Sequence, residues 1–220
     1  MRATPPRTLG VDEAGRGPIL GPMALAVVAL DRAGEAALIA LGVQDSKRFG
    51  AGRKAQEQRA ALAESILGLA LEARCVLVTP ATIDAYTARG HLNHLEREVA
   101  DQLLVAVDAC PKDQILCDGA RLFAPLRERH PSLVAVDHGE SAHVAVAAAS
   151  ILAKHARDHA FEVIAARYAE EFGPLGGGGY LNAPTRRFLD AYRERYGDLP
   201  PEARRSWGAT KEPEQIALLS

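Results

Sequence analysis

Residues 10–22 read GVDEAGRGPILGP, in which two adjacent carboxylates, Asp12 and Glu13, stand directly before a Gly-Arg-Gly turn. Two further acids occupy comparable places. Asp118 closes the apolar run QILCD, and Glu140 lies in DHGES just ahead of a long alanine-rich run. Side chains alternate along a strand, so Asp12 and Glu13 reach one site only where the strand ends and the backbone turns, and Gly15 and Gly17 supply that turn. Open α/β sheets assemble their sites at the carboxyl ends of strands, which is where Asp118 falls. Two unit charges about 4 Å apart repel by about 4 kcal/mol at an effective dielectric near 20, so convergence of these acids demands a cation between them. All-oxygen donors select hard Mg²⁺ or Mn²⁺ over zinc, and carboxylate-bound metals that handle phosphate esters commonly come in pairs about 3.5–4 Å apart. Taken alone, Asp118 serves equally well as a helix cap or turn former. A nucleotide-binding reading of GRGPILG fits poorly, because its glycines miss the G-x-G-x-x-G spacing, no Lys-Ser/Thr follows, and the acids would repel a pyrophosphate lacking a metal.

The elements that must position these residues alternate between strand and helix. Thr8 to Val11 and Met23 to Leu30 read as strands, the second an unbroken apolar run suited to a sheet buried on both faces. Amphipathic spacing predicts a helix over Arg53 to Leu71, followed by a short strand from Cys75 to Val78. A second helix covers His91 to Val107, then come strands at Gln114 to Asp118 and Leu133 to Val136. The run from His143 is a long helix of high intrinsic propensity that Gly173-Pro174 stops. GPLGGGGY reads as a flexible loop, and Ala183 to Tyr196 as a last amphipathic helix before a polar tail that packs by Trp207. The fold class is α/β, a central mixed sheet flanked by helices. At 220 residues one domain is expected, with residues from about 174 onward as a C-terminal helical extension.

With 48% hydrophobic and 25% charged residues the composition is that of a soluble globular protein, and no apolar run approaches membrane-span length. The N-terminal MRATPPRTLG lacks the apolar stretch of a secretory signal, so a cytoplasmic location is expected. Cys75, Cys110 and Cys117 are odd in number, sit among apolar residues and lack Cys-x-x-Cys spacing, which predicts reduced core thiols. The net charge of −2 requires any nucleic-acid contact to come from a local basic patch. Arg186, Arg187, Arg193, Arg195, Arg204 and Arg205 are the candidates, although Glu194 and Asp198 are interleaved. His155 and His159, spaced i and i+4, have no third ligand placed by spacing and read as surface or satisfied histidines.

Five blocks, GVDEAGRGPILGP, DSKRF at 45–49, CDGA at 117–120, AAASILAKHARD at 147–158 and RRSW at 204–207, resemble in order the successive blocks of ribonuclease HII, the type 2 ribonuclease H. They span almost the whole chain. The resemblance implies a ribonuclease H-like fold and a metal-dependent endoribonuclease. Such an enzyme hydrolyses the RNA strand of RNA–DNA hybrids and nicks duplex DNA 5′ of embedded ribonucleotides, leaving 3′-hydroxyl and 5′-phosphate ends, in ribonucleotide and replication-primer removal. It implies two Mg²⁺ or Mn²⁺ ions on Asp12, Glu13, Asp118 and Glu140, the last at the position of the family's fourth carboxylate. Gly15, Arg16 and Gly17 would bring backbone against the ribose 2′-hydroxyl, the group that distinguishes RNA from DNA. Lys47 and Lys154 match lysines near substrate phosphates, and Tyr180 matches a tyrosine that stacks on the sugar beyond the scissile bond. The partner would be nucleic acid, with no membrane, and the chain would act as a monomer.

The block around Glu140 departs from the family's pattern, which is usually KGDS; here it is HGES, with His138 in place of lysine and glutamate ten residues before Ser150. One added methylene forces the backbone to retreat or the metal to shift, and errors near 1 Å cost on the order of 100-fold in rate. Two rivals follow: a catalytically impaired nucleic-acid-binding relative, and a DNA-cutting nuclease of the same fold that would ignore Gly15 and Gly17.

Overall fold

The computed structural model describes residues 6–43 and 52–207, so Lys47 lies outside the described residues. Five strands, β1 (Thr8–Ala14), β2 (Met23–Leu30), β3 (Glu72–Val78), β4 (Gln114–Asp118) and β5 (Leu133–Val136), form one sheet in the order β3-β2-β1-β4-β5. β1 pairs antiparallel with β2 and parallel with β4, and β4 pairs parallel with β5. The expected mixed sheet flanked by helices is therefore present. Every residue of β2 is buried, as its unbroken apolar run predicts.

Eight helices are described: α1 (Arg32–Ala40), α2 (Arg53–Leu69), α3 (Pro80–Thr87), α4 (Leu92–Ala106), the single turns α5 (Ala120–Phe123) and α6 (Gly139–Ala142), α7 (Val144–Phe172) and α8 (Ala183–Tyr196). Leu9 and Val11 face a core shared with Leu95, Val99 and Leu103 of α4. The opposite face packs Ala24, Ala26 and Val28 against α7 and Ile66 of α2. Strand β1 and α7 approach so closely that a Cβ on Gly10 would lie 2.0 Å from the Ala145 carbonyl carbon, a distance only glycine tolerates. Alanines on the facing stretch of α7 make that approach possible. At 29 residues, roughly 43 Å, α7 reaches from the sheet to a third cluster, where Phe161 packs with Ile19, Leu20, Phe188 and Leu199.

Three expectations are corrected. Cys75 and Cys110 are exposed, and only Cys117 is a core thiol: Cys75 lies on the edge strand β3, and Cys110 lies in the connection between α4 and β4. Strand β1 does not end at the acids; it stays paired with β2 through Ala14 opposite Ala24. GPLGGGGY is not a loose loop: Gly177–Gly179 forms a 3-10 turn, and the buried Gly179 carbonyl accepts hydrogen bonds from the Ile19 and Leu20 amides at 2.9 and 3.1 Å. Among the described residues no helix is long and apolar enough to cross a membrane.

Candidate active site

The register explains how distant acids meet. Val11 pairs with Cys117 in the parallel β1–β4 ladder, so Asp12 and Asp118, each one residue further along, stand side by side where that ladder ends. Asp12 shares the face of Gly10, toward α7, and the Ser150 hydroxyl of that helix donates to it. Its Oδ1 also accepts from the Glu13 amide at 2.8 Å. Glu13, the next residue on a continuing strand, turns to the other face, where it feels Glu96 of α4. The two acids therefore approach the strand end from opposite sides of the sheet and not from one turn. Asp118 is held by the Gly139 amide at 3.2 Å, which ties the end of β4 to α6, and Glu140 is the next residue, buried at 7% exposure.

Burial raises the pKa of Asp12 and of Glu13. Asp12, 6% exposed, is pushed up to about 8, first by desolvation and then by the fields of Glu13 and Asp118, against the Ser150 and Glu13 hydrogen bonds. Glu13 rises to about 7, by desolvation and then by Glu96, with Arg16 opposing. Glu96, absent from the sequence-based candidates, is fully buried, is raised to about 7 by desolvation, and pairs with Arg16 at 2.8 Å. Nothing in LNHLEREVADQ marks it beyond its place beside Leu95 on the buried stripe of α4. The donor chemistry fits a hard divalent cation: oxygen donors only, with Asp12 and Glu13 desolvated and repelled by neighbouring acids. Among the described residues, however, no three His, Cys, Asp or Glu side chains converge into a finished ligand cage. That absence also covers His155 and His159, which line a groove between α7 and α2.

Beside the acids, the Gly15–Gly17 turn is gripped from behind. Gly15 has φ of +83°, and a Cβ there would meet Arg157 Cγ at 2.8 Å. Arg204, completely buried, donates through Nη2 to the Gly15 carbonyl (2.6 Å), through Nη1 to Arg16 (2.9 Å) and through Nε to Gly21 (3.0 Å). Burial, and then Arg157, lowers its pKa to about 10, which leaves it charged at neutral pH. Trp207 Nε1 donates to the Gly17 carbonyl at 3.1 Å, and the Arg204 guanidinium lies 5.1 Å from the indole centre. Asp84 of α3 fixes this closing segment by accepting from the Arg205 and Ser206 amides at 2.7 and 3.0 Å. Arg204 and Arg205 therefore do not form an open basic patch: the first is internal, and the second pairs with Asp198 at 2.7 Å.

Tyr180 is half exposed, and a Cβ on Gly17 would lie 3.1 Å from its ring. Arg157, nearly buried, lies 6.0 Å from that ring and donates to the Gly178 carbonyl, so one guanidinium joins the glycine turn to the Tyr180 loop. Lys154 is half exposed and sits 3.5 Å from Asp158, one turn along α7.

A family model described as Ribonuclease HII matches residues 9–210. The chain is similar to Ribonuclease HII of Thermococcus sibiricus, with 35% identity covering 94% of this chain and 90% of that protein. It is also similar to Ribonuclease HII of Pyrobaculum neutrophilum, with 39% identity over 90% and 93%. The crystal structure of the ribonuclease H2 from Pyrococcus horikoshii OT3 superposes with a TM-score of 0.76 at 32% identity, covering 93% of this chain and 95% of that one. Matching blocks, sheet and length agree, and the chain belongs to the ribonuclease HII family of metal-dependent ribonuclease H enzymes.

Proposed function

We propose that this protein is an endoribonuclease that hydrolyses the RNA strand of RNA–DNA hybrids and cuts duplex DNA on the 5′ side of embedded ribonucleotides, leaving 3′-hydroxyl and 5′-phosphate ends. The observation that carries the reading is the juxtaposition of the buried Asp12 with Asp118 where the β1–β4 ladder ends, beside a turn whose carbonyls are engaged by Arg204 and Trp207. Asp12, Glu13, Asp118 and Glu140 would hold two Mg²⁺ or Mn²⁺ ions. When bound, such ions supply a nucleophilic water at neutral pH and stabilise the departing oxygen of an in-line displacement.

The chain's own residues do the rest. Asp12 and Glu13 release their protons as the site is filled, so binding is linked to pH. Ser150 and the Gly139 amide hold Asp12 and Asp118 while charge accumulates between them. The Gly15–Gly17 backbone contacts the ribose, and Arg16, anchored to Glu96, also stabilises the charged form of Glu13. Tyr180 stacks on the sugar beyond the cut. Lys154 leaves Asp158 to meet a phosphate, and Lys47 approaches another.

Cleavage of matched duplexes carrying zero, one or four ribonucleotides, with Mg²⁺ and Mn²⁺ in turn, tests the reading. The expected result is cutting only where a 2′-hydroxyl is present; a single-ribonucleotide duplex that is bound yet left whole overturns it. A second reading, a binding protein impaired at Glu140, rests on the glutamate that stands in HGES where the family's pattern has aspartate. Glu140→Asp separates the two: about 100-fold gain supports impairment, and little change supports an accommodated glutamate.

A further inference from the structure

Arg204 engages more of the glycine turn than any other side chain, and it comes from the far end of the chain. A trans peptide is planar, so the carbonyl of one residue and the amide of the next point in opposite directions. The Gly15 and Arg16 carbonyls are both drawn inward to one guanidinium. The Arg16 and Gly17 amides must then point outward, side by side, on residues that are themselves exposed. Among the described residues neither amide donates to another group of the chain.

The guanidinium suits this task because it is flat and its donors are fixed in direction, whereas an ammonium on a flexible stem would satisfy the same oxygens in many arrangements. A buried cation without hydrogen bonds would be strongly destabilising; here three carbonyls and the face of Trp207 compensate it. The antiparallel bridge between Leu20 and Ala203 and the Arg204 amide bond to the Ile19 carbonyl (2.8 Å) hold its own backbone against the segment it orients. Residues 15–21 and 202–207 thus form one unit, although about 180 residues of chain separate them.

We infer that Arg204 is a specificity-determining positioning residue, which by holding the Gly15 and Arg16 carbonyls from inside turns the Arg16 and Gly17 amides outward as a paired donor for a sugar hydroxyl oxygen. This rests on the proposed ribonuclease reading and adds the cause of its discrimination. Arg204 touches no substrate. Its loss should leave affinity for duplex as such and remove the preference for ribose.

The test compares two duplexes identical except for one 2′-hydroxyl, bound to the full chain in Ca²⁺ and followed by fluorescence anisotropy. Wild-type protein binds the ribonucleotide duplex more tightly. Arg204→Lys keeps the charge and is expected to lower that preference about tenfold, with affinity for the all-DNA duplex within about twofold of wild type. A merely structural role would change both affinities together. An R204K protein that is folded, by circular dichroism and its unfolding midpoint, yet retains the wild-type preference overturns the inference. If R204K does not fold, wild-type protein decides. Its Arg16 and Gly17 amide ¹⁵N resonances must shift on adding the ribonucleotide duplex and stay in place with the all-DNA duplex, and the lack of that selective shift overturns the inference equally. A wild type that shows no preference at all brings down the underlying ribonuclease reading instead.

Discussion

The acids at the strand ends and the glycine turn beside them lie within a few residues of each other in sequence, yet the fold treats them in opposite ways. Asp12 and Glu13 are desolvated, face other acids and carry raised pKa values, so that part of the site is electrostatically incomplete. The turn is complete: its three carbonyls are bonded to Arg204 and Trp207, and Arg16 is tied to Glu96. The difference teaches that the proposed cation would complete the first part, whereas the carbonyls of the turn are already satisfied within the chain. Preorganisation is valuable where one oxygen must be told from a hydrogen.

That contrast breaks most sharply at Asp12. Asp12→Asn removes an anionic ligand while keeping shape and hydrogen bonding, and cleavage should fall by ~10³-fold or more with the fold intact, checked by single-turnover assay and circular dichroism. Gly15→Ala attacks the turn. It forces a side chain into the left-handed region and against Arg157, so ribonucleotide cleavage should fall on the order of 100-fold and stability by roughly 1–3 kcal/mol, read by kinetics and urea unfolding.

The incomplete half should also be visible in stability without metal. Asp12, Glu13 and Glu96 have folded-state pKa values of about 8, 7 and 7, above their ordinary values of 3.8, 4.5 and 4.5. The folded protein therefore holds more protons than the unfolded chain across that interval. Their contribution is fully present below about pH 4 and is lost as pH rises through about 8. Denaturant unfolding in EDTA between pH 5.5 and 8.5 should show stability declining with pH, Asp12→Asn should flatten the decline, and excess Mg²⁺ should reverse it. The smallest effect is expected at Arg205→Ala. Its pair with Asp198 is exposed, so the thermal unfolding midpoint should barely move and duplex binding hardly change.

Much of the scaffold was legible because its signals are local. Met23–Leu30, Gln114–Asp118, Leu133–Val136 and Ala183–Tyr196 fall within their predicted bounds, and α2, α4 and α7 differ by one or two residues. The helices α1 and α3 escaped notice although both carry readable caps, Asp31 bonding the Gly34 amide and Thr79 before Pro80 bonding Thr82. The acids were legible as candidates from residue type and position. Their facing was not, because it depends on whether β2 continues to pair with β1 beyond Asp12, and that is settled by the partner strand. Cys75, Cys110 and Arg204 differ from expectation for the same kind of reason: one thiol lies outside on an edge strand, the other in a connection between elements, and an arginine in a polar tail lies wholly inside.

Sequence alone determined the family, the alternation of strands and helices, and which acids and glycines are available for chemistry, since these follow from residue type, periodicity and motif order. Only the tertiary structure decided that Asp12 and Asp118 stand side by side where the β1–β4 ladder ends, that Glu96 anchors Arg16, and that Arg204 sits behind the glycine turn. Register, burial and the direction of a peptide carbonyl are properties of pairs of segments, and no single segment carries them.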